Sequence, residues 1–223
     1  MTCIAARQPI ENATARLFIS AAHKSSGKTV VSLGLSAAFR ALGLAVQPFK
    51  KGPDFIDPLW LSAATGRGCR NLDFHTMSRD EILGCFATHA AGADLAIVEG
   101  NKGCFDGVAT DGHDSAAALA RLLAAPVVLV IDTEGMTRGI APLLVGYRRF
   151  DPDLAIAGVI LNKVSGSRHE AKLRRAVETY TDLPVLGALH RSSQLGITER
   201  HLGLVPANEA SEAKVAIDRI AAI

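Results

Sequence analysis

The stretch RLFISAAHKSSGKT, residues 16–29, decides the fold of this chain. Its first six residues form an apolar run typical of a buried strand, and an amphipathic helical pattern begins at Lys28 and ends before Gly43. The turn between them has the phosphate-binding P-loop pattern, with Ala22 in place of the usual first glycine. Because strand, loop and helix follow in this order, the stretch predicts a nucleotide site and not an ordinary Ser/Gly-rich turn.

The loop has predicted roles for both its backbone and its side chains. Backbone N–H groups of the loop and of the helix N-terminus present positive potential that can surround a phosphate chain. Lys28 would reach the terminal phosphates, and the Thr29 hydroxyl would be a Mg²⁺ ligand. The residues predicted to contact the nucleotide here are Ala22, His23, Lys24, Ser25, Ser26, Gly27, Lys28, Thr29 and Val30.

Short apolar runs alternate with longer amphipathic stretches along the rest of the chain. Strands are predicted at 16–21, 44–49, 94–98, 127–131, 155–161 and 185–189, and helices at 28–42, 57–65, 78–91, 115–124, 140–149, 167–180 and 211–223. Ser78 followed by Glu81 predicts a capping box at the start of one helix. The alternation predicts an α/β domain over 16–223, with a doubly wound, mostly parallel sheet and helices on both faces, after a flexible segment at 1–15.

The composition excludes several classes of protein. With 223 residues, of which 48% are hydrophobic and 21% charged, the chain can bury a core and is not intrinsically disordered. Lys and Arg number 24 against 22 Asp and Glu, so the near balance predicts no nucleic-acid and no membrane partner. The four cysteines form no C-x-x-C pair, and neither a signal peptide nor a membrane-spanning run is present. We therefore expect a cytoplasmic protein.

Two further polar segments follow predicted strands. Glu99 stands at the end of the 94–98 strand, where an acid facing the P-loop can hold Mg²⁺ directly or through water. The loop KKGPDFIDP, residues 50–58, carries two lysines and two aspartates among prolines. Lys50 could neutralise charge on a transferring phosphoryl group, and Asp54 could be a second magnesium carboxylate. The alternative for this loop is a surface turn with local ion pairs.

Weaker signals come from an amide and from three histidines. Asn162 and Lys163 follow the 155–161 strand, and an Asn side chain there can read an adenine edge or form an Asx turn. His75, His113 and His201 are scattered along the chain, which favours structural or surface positions over catalytic ones.

Seven segments taken together resemble one family. They are FISAAHKSSGKTVVSLGL, VQPFKKGPDFIDPLWLSAATGR, NLDFHTM, ADLAIVEGNKGCFDG, APVVLVIDTEGMTRG, AGVILNKV and ERHLGLVPANE. The family is that of cobyrinic acid a,c-diamide synthase, in its ATP-dependent synthetase domain, which is similar to dethiobiotin synthetase. The resemblance covers nearly the whole chain from about residue 16, and its most specific motifs are K-x-G-P-D-x-I-D-P and E-G-x-x-G-x-[FY]-D-G.

The resemblance implies an activity and a role for each matching position. Family members use ATP and Mg²⁺ to phosphorylate peripheral carboxylates of a modified tetrapyrrole, and ammonia from glutamine then displaces phosphate to leave a carboxamide. Lys50 matches the lysine that contacts the γ-phosphate and the substrate carboxylate, and is catalytic together with Lys28 and Asp54. The resemblance also implies that Thr29, Asp54 and Glu99 bind Mg²⁺ and that Asn162, Lys163 and Pro206 line the adenine face. The residues that it places on the tetrapyrrole side are Asp57, Asn71, Lys102, Asp106 and Arg138.

Two departures from the family pattern bear on the ammonia source and the substrate. Family members usually continue into a glutaminase domain with a Cys-His-Glu triad, and no cysteine here lies in a nucleophile-elbow context. We therefore expect glutamine-derived or free ammonia, from a domain or subunit outside this chain. The segments 101–102 and 74–76 look more like a branch that amidates sirohaem, so sirohaem ranks first, cobyrinate second, with a nickel-sirohydrochlorin branch also known. Relatives of this kind usually dimerise, which implies a homodimer.

Two other functions stay open. A dethiobiotin-synthetase-type ligase would share the ATP site but take a small diamine, whereas the long segment 52–71 favours a larger ligand. A non-enzymatic ATP switch of the partitioning class would carry a basic amphipathic tail or a DNA-binding patch, and the tail 209–223 has three acids and two bases. Such switches usually carry a lysine directly after the first-glycine position, where this chain has His23.

Overall fold

The computed structural model describes residues 14–192, 199–200, 203–204 and 213–222. The strands are β1 Ala15–Ala21, β2 Val46–Lys51, β3 Arg70–Leu72, β4 Leu95–Glu99, β5 Val127–Asp132, β6 Ile156–Val164, β7 Val185–His190, β8 Glu199–Arg200 and β9 Gly203–Leu204. The helices are α1 Lys28–Ala41, α2 Asp57–Thr65, α3 Arg79–Ala90, α4 Ala116–Leu122, α5 Ile140–Phe150, α6 Ser167–Tyr180 and α7 Ala213–Ala221.

Seven strands form one parallel sheet in the order β3-β2-β4-β1-β5-β6-β7. The order confirms the predicted α/β fold, in which strand–helix–strand units wind outward in both directions from β1. The polar segments that follow β1, β2 and β4 all leave the sheet at its carboxyl edge. Since these three strands are neighbours, their loops meet at one place.

Both faces of the sheet are covered, as the apolar run at β5 predicted. Val127 and Leu129 of β5 pack in the larger core, which includes residues of α3, α4, α5 and α6. Val128 and Val130, on the opposite face, pack with Val31 of α1. Helices α2 and α7 pack against α1 in a third cluster. Because successive strand residues point to opposite faces, a strand buried on both sides is apolar at every position.

The structure differs from the sequence-based expectation in a few elements. The predicted capping box is confirmed, since the Ser78 side chain accepts from the Glu81 N–H and the Glu81 carboxylate accepts from the Ser78 N–H. Strand β3 was missed because only three residues form it and only Leu72 among them is buried. The short antiparallel pair β8–β9 was missed as well. Strand β6 runs on to Val164, so the predicted Asn-Lys pair lies within the strand.

The predicted N-terminal segment lies, except for residues 14–15, outside the described residues, and β1 begins at Ala15. Within the described part of the chain, no helix combines the length and the apolar composition needed to cross a membrane.

Candidate functional site

The P-loop connects the central strand β1 to helix α1. Gly27 takes a left-handed conformation, with φ 92° and ψ 21°, and precedes the helix without capping it by a side chain. The first N–H groups of α1 therefore have no side-chain acceptor, as a phosphate-binding helix end requires. The Tyr147 hydroxyl donates to the Ala22 carbonyl at 2.8 Å, and the Ser26 hydroxyl donates to the His23 carbonyl at 2.8 Å. The first bond fixes the loop to helix α5, and the second lies within the loop itself.

Asn162 lies against the P-loop from strand β6, which is two strands away from β1 in the sheet. Its amide nitrogen donates to the Ser26 carbonyl at 2.8 Å, and the side chain is buried. A Cβ atom at Gly27 would lie 2.1 Å from that nitrogen, so only glycine fits there. Lys163 also faces the loop, with its ammonium 2.6 Å from Asp132 Oδ2. The structure thus brings both residues beside the P-loop, where the Asn162 amide supports the loop backbone.

Lys28 reaches across the site to the loop that follows β4. Its ammonium donates to the carbonyl of Lys102 at 2.6 Å, and the residue is buried. Burial lowers the pKa of Lys28, and attraction to Glu99 opposes that shift only in part. Lys102 itself has φ 48°, a conformation rarely taken by side-chain-bearing residues, and its own side chain is exposed. The backbone of Lys102 therefore presents its carbonyl toward the phosphate site.

Lys50 lies at the centre of a buried charge cluster. Its ammonium is 2.7 Å from Glu99 Oε1, 2.6 Å from Asp57 Oδ2 and 3.7 Å from Asp54 Oδ2, and the side chain is 2% exposed. Lys50 and Glu99 are register partners in the adjacent parallel strands β2 and β4. Burial alone would lower the pKa of Lys50, but attraction to Glu99 and Asp57 outweighs burial and holds it above its ordinary value. Lys50 is therefore charged at neutral pH.

Thr29 joins this cluster to the P-loop. Its hydroxyl donates to Glu99 Oε1 at 2.9 Å and lies 3.5 Å from Asp57 Oδ2. The other carboxylate oxygen of Glu99 is buried with no hydrogen-bond partner among the described residues. Burial raises the pKa of Glu99, opposed by Lys50. An unsatisfied buried carboxylate oxygen beside the P-loop threonine fits a Mg²⁺ ion, because this hard cation takes oxygen ligands and keeps waters and substrate phosphates in its shell.

Asp54 precedes α2, and Asp57 is the first residue of that helix. Asp54 Oδ1 accepts from the N–H groups of Ile56 and Asp57, at 3.0 and 3.1 Å, and so holds the turn that leads into α2. Asn71 donates to the Asp54 carbonyl at 2.7 Å and holds the loop from β3. Asp57, expected on the tetrapyrrole side, is the aspartate nearest to both Thr29 and Lys50.

The remaining predicted residues lie farther out. Asp106 accepts from the Gly103 N–H at 3.1 Å and is exposed, on the same loop as Lys102. The Arg138 guanidinium lies 5.1 Å from the ring centre of Tyr180, at the last residue of α6, so the structure does not bring Arg138 into the Lys50 cluster. Pro206 lies outside the described residues.

A second set of polar residues, to which the sequence assigned no role in catalysis, lies on the α3 and α4 side of the sheet. It consists of Lys51, Asp73, His75 and Asp114. His75 Nε2 is 3.3 Å from Asp114 Oδ2, and both aspartates are buried. The available signals were Lys51 in the KKGPD motif and the segment NLDFHTM, which contains Asp73 and His75. No group of three or more His, Cys, Asp or Glu in the described residues is arranged to hold a metal by protein ligands alone.

A parallel sheet whose central strand runs into this loop, with an acid on the neighbouring strand facing the loop threonine, defines a P-loop nucleotide-binding protein. A sequence profile of the CobQ/CobB/MinD/ParA nucleotide binding domain family matches residues 18–204, and the chain belongs to this family. Solved structures agree with the fold. Chloroplast FtsY from Physcomitrella patens gives a TM-score of 0.55 at 17% identity, covering 94% of this chain and 66% of that one. MinD with Mg-ADP from Pyrococcus horikoshii gives a TM-score of 0.50 at 16% identity, covering 93% of this chain and 95% of that one.

The chain is also similar in sequence to two groups of synthases, which confirms the predicted resemblance. It is 56% identical over 194 residues to cobyrinate a,c-diamide synthase of Magnetococcus marinus, covering 87% of this chain and 42% of that protein. It is 47% identical over 213 residues to hydrogenobyrinate a,c-diamide synthase of Streptomyces coelicolor, covering 95% of this chain and 43% of that protein. The chain thus spans less than half the length of these relatives.

Proposed function

We propose that this chain is the ATP-dependent synthetase part of a carbon–nitrogen ligase that amidates peripheral carboxylates of a tetrapyrrole. The observation that carries the proposal is the meeting of Lys28, Lys50 and the Thr29–Glu99 pair at the carboxyl ends of three adjacent strands. Such a site can hold a triphosphate and a carboxylate side by side. The names of the relatives favour a corrinoid such as cobyrinate, so we rank cobyrinate before sirohaem.

The proposed reaction has two steps. A carboxylate oxygen of the tetrapyrrole attacks the γ-phosphorus of ATP, the bond from that phosphorus to the bridging oxygen breaks, and ADP leaves. Ammonia then attacks the acyl carbon of the acyl phosphate, the C–O bond breaks with release of inorganic phosphate, and the nitrogen loses a proton. A carboxylate is a poor electrophile and an acyl phosphate is a good one, which is why ATP is consumed.

The chain's own residues align and neutralise the reacting groups. The loop backbone and Lys28 would hold the phosphates, and the charged Lys50 would offset the negative charge of the incoming carboxylate and the transferring phosphoryl group. Thr29, Glu99 and Asp57 would hold Mg²⁺, which supplies further charge neutralisation when bound. Asp54 would act on the same cluster by fixing the start of α2 and facing Lys50.

An exposed apolar side chain next to this cluster suits a broad, flat ligand. Phe55 is 82% exposed and lies on the loop between Asp54 and Asp57. A large apolar side chain exposed to water beside a polar site favours an amphipathic substrate over a small diamine. Asn71 lies in β3, and Lys102 and Asp106 lie on the loop after β4. We propose that these three residues face the tetrapyrrole.

The nitrogen source and the assembly are also proposals. We propose that ammonia reaches this chain from a glutaminase domain or subunit outside it, as the greater length of the relatives allows. We propose that Asn162 and Lys163 lie beside the adenine, and that the protein works as a cytoplasmic homodimer without nucleic acid or membrane.

The decisive experiment is mass spectrometry after incubation of the chain with ATP, Mg²⁺, ammonium and either cobyrinate or sirohaem. Each carboxylate converted to a carboxamide lowers the product mass by about one unit, so the shift identifies the substrate and counts its amides. Lys50→Met is the control that should give no shift. ATP hydrolysis stimulated by DNA, by lipid vesicles or by a diaminononanoate, with no mass shift, would overturn the proposal in favour of a switch or a small-substrate ligase.

A further inference from the structure

Lys50 and Lys51 are consecutive residues at the end of β2, and they serve opposite faces of the sheet. Lys50 faces the P-loop cluster, as its contacts with Glu99 and Asp57 show. Lys51 is two residues after Phe49 in the strand and therefore points to the same face of the sheet. Phe49 packs in the core under α3 and α4. The aspartates whose charges act on Lys51 are Asp73, after β3, and Asp114, before α4. One strand end therefore presents two ammonium groups in two different environments.

The Lys51 side chain is largely buried, but its ammonium keeps contact with solvent and has no close partner among the described residues. The residue is 8% exposed, yet its ammonium forms no hydrogen bond and no ion pair within 4.0 Å among the described residues. Burial lowers the pKa of Lys51, and attraction to Asp114 and Asp73 offsets that only in part. An ammonium that reaches solvent and has no protein partner can donate hydrogen bonds to a ligand carboxylate.

The two nearby aspartates are already engaged by other donors. Asp114 accepts from the N–H groups of Val108 and Ala109, at 2.8 and 3.3 Å, and faces the His75 ring. Asp73 accepts from the backbone of the following turn and from the Thr76 hydroxyl at 3.0 Å. These bonds use the carboxylate oxygens to hold the loops, so the three N–H donors of Lys51 remain for a ligand.

Lys102 is near both lysines. Its carbonyl accepts from Lys28, and its charge acts on Lys51. The surroundings of Lys51 are therefore adjacent to the proposed transfer site. His75, about half exposed, contacts Asp114, whose charge also acts on Lys51, and the Lys102 side chain is exposed.

We propose that Lys51, with His75 at the rim, binds a second carboxylate of the tetrapyrrole, one that is not being activated, and so selects which carboxylate reaches Lys50. This inference rests on the proposed function. A substrate with several carboxylates around a ring needs a second anchor before one of them can be placed reproducibly.

The test compares Lys51→Met with Lys51→Arg, using Lys172→Met on the exposed surface of α6 as the matched control. With cobyrinate, ATP and ammonium, we expect Lys51→Met to raise the KM for cobyrinate about tenfold, with kcat within about threefold and the KM for ATP unchanged. The first amidation product should change from one isomer to a mixture. Lys51→Arg should restore most of the affinity and the single isomer, and Lys172→Met should behave as the parent chain.

The outcomes separate this inference from the proposed function. If the parent chain amidates no tetrapyrrole, the proposed function and the inference both fall. If the parent chain amidates cobyrinate and Lys51→Met gives the same KM and the same isomer, the anchoring role alone is refuted. Should Lys51→Met not fold, His75→Ala tests the same site from a half-exposed position, where a rise of about threefold in the KM for cobyrinate supports the anchor and an unchanged KM refutes it.

Discussion

The Nζ atom of Lys50 lies 2.7 Å from Oε1 of Glu99, and both side chains are buried. The two residues are 49 positions apart in the chain and meet because β2 and β4 pair in parallel register. Removing one partner of such a buried pair leaves an uncompensated charge. Here each partner has a second contact, because Asp57 also pairs with Lys50 and the Thr29 hydroxyl also donates to Glu99. The pair therefore places a permanent positive charge and an oxygen ligand side by side at the phosphate end of the site.

Removal of the Glu99 charge tests the proposed metal site. We expect Glu99→Gln to lower Mg²⁺-dependent turnover about 100-fold, because the unsatisfied carboxylate oxygen is replaced by an amide that holds the cation poorly. Titration with a fluorescent ATP analogue should show unchanged binding without Mg²⁺ and no gain when Mg²⁺ is added. A variant that still binds more tightly with Mg²⁺, as the parent does, would contradict the assignment.

The two aspartates of the KKGPDFIDP loop should differ in effect. Asp57→Asn removes the carboxylate nearest to Thr29 and Lys50, so we expect turnover to fall at least tenfold with little change in melting temperature. Asp54→Asn keeps an oxygen that accepts from the N–H groups of Ile56 and Asp57, so turnover should stay within about threefold of the parent, since Asn and Asp both form such turns. Steady-state kinetics and thermal melts measure both. The reverse ranking would make Asp54 the metal ligand.

Glycine at position 27 is required for two separate reasons, and a matched variant separates them. Gly27→Ala places a Cβ in a left-handed conformation and against the Asn162 amide, whereas Gly43→Ala, at φ 89° with nothing within 4 Å, has only the conformational strain. We expect Gly43→Ala to lower the free energy of unfolding by about 1–2 kcal/mol and to leave ATP affinity unchanged. Gly27→Ala should weaken ATP binding more than tenfold. Equal ATP affinity in the two variants would show that the contact between a Cβ at position 27 and the Asn162 amide does not affect ATP binding.

Asp114 should make stability depend on pH in the acid range. Burial would raise its pKa, but the N–H groups of Val108 and Ala109 outweigh burial and hold it below the ordinary value. Because the folded pKa is the lower one, the stabilisation is present above about pH 4 and is lost as the pH falls through the folded pKa. We expect Asp114→Asn to cost about 1–3 kcal/mol at pH 7, since an amide leaves these donors poorly paired.

Urea unfolding at pH 7, 5 and 3 measures this dependence. The difference between the parent and Asp114→Asn should shrink as the pH falls, because protonation removes the same charge from the parent. Asp153→Asn, at an exposed position, is the control and should follow the parent at every pH. A constant difference across the three values would show that the Asp114 charge does not contribute.

Local patterns were enough to predict most of the fold. The P-loop could be recognised because strand, loop and helix are consecutive, and the capping box because Ser78 and Glu81 are three residues apart. Strand β5 could be recognised because burial on both faces leaves only apolar residues. Strand β3 could not, because three residues with one buried side chain carry no periodicity, and only pairing with β2 makes them a strand.

By itself the sequence determined the α/β class, the phosphate loop and the set of polar loops that would surround it, because each depends on neighbours along the chain. The tertiary structure alone decided what each polar residue touches. It placed Asp54 in the turn before α2 and brought Asp57 to Lys50, because α2 begins at Asp57. It also sent Lys50 and Lys51 to opposite faces of the sheet, because the strand continues through both residues and consecutive side chains in a strand point in opposite directions.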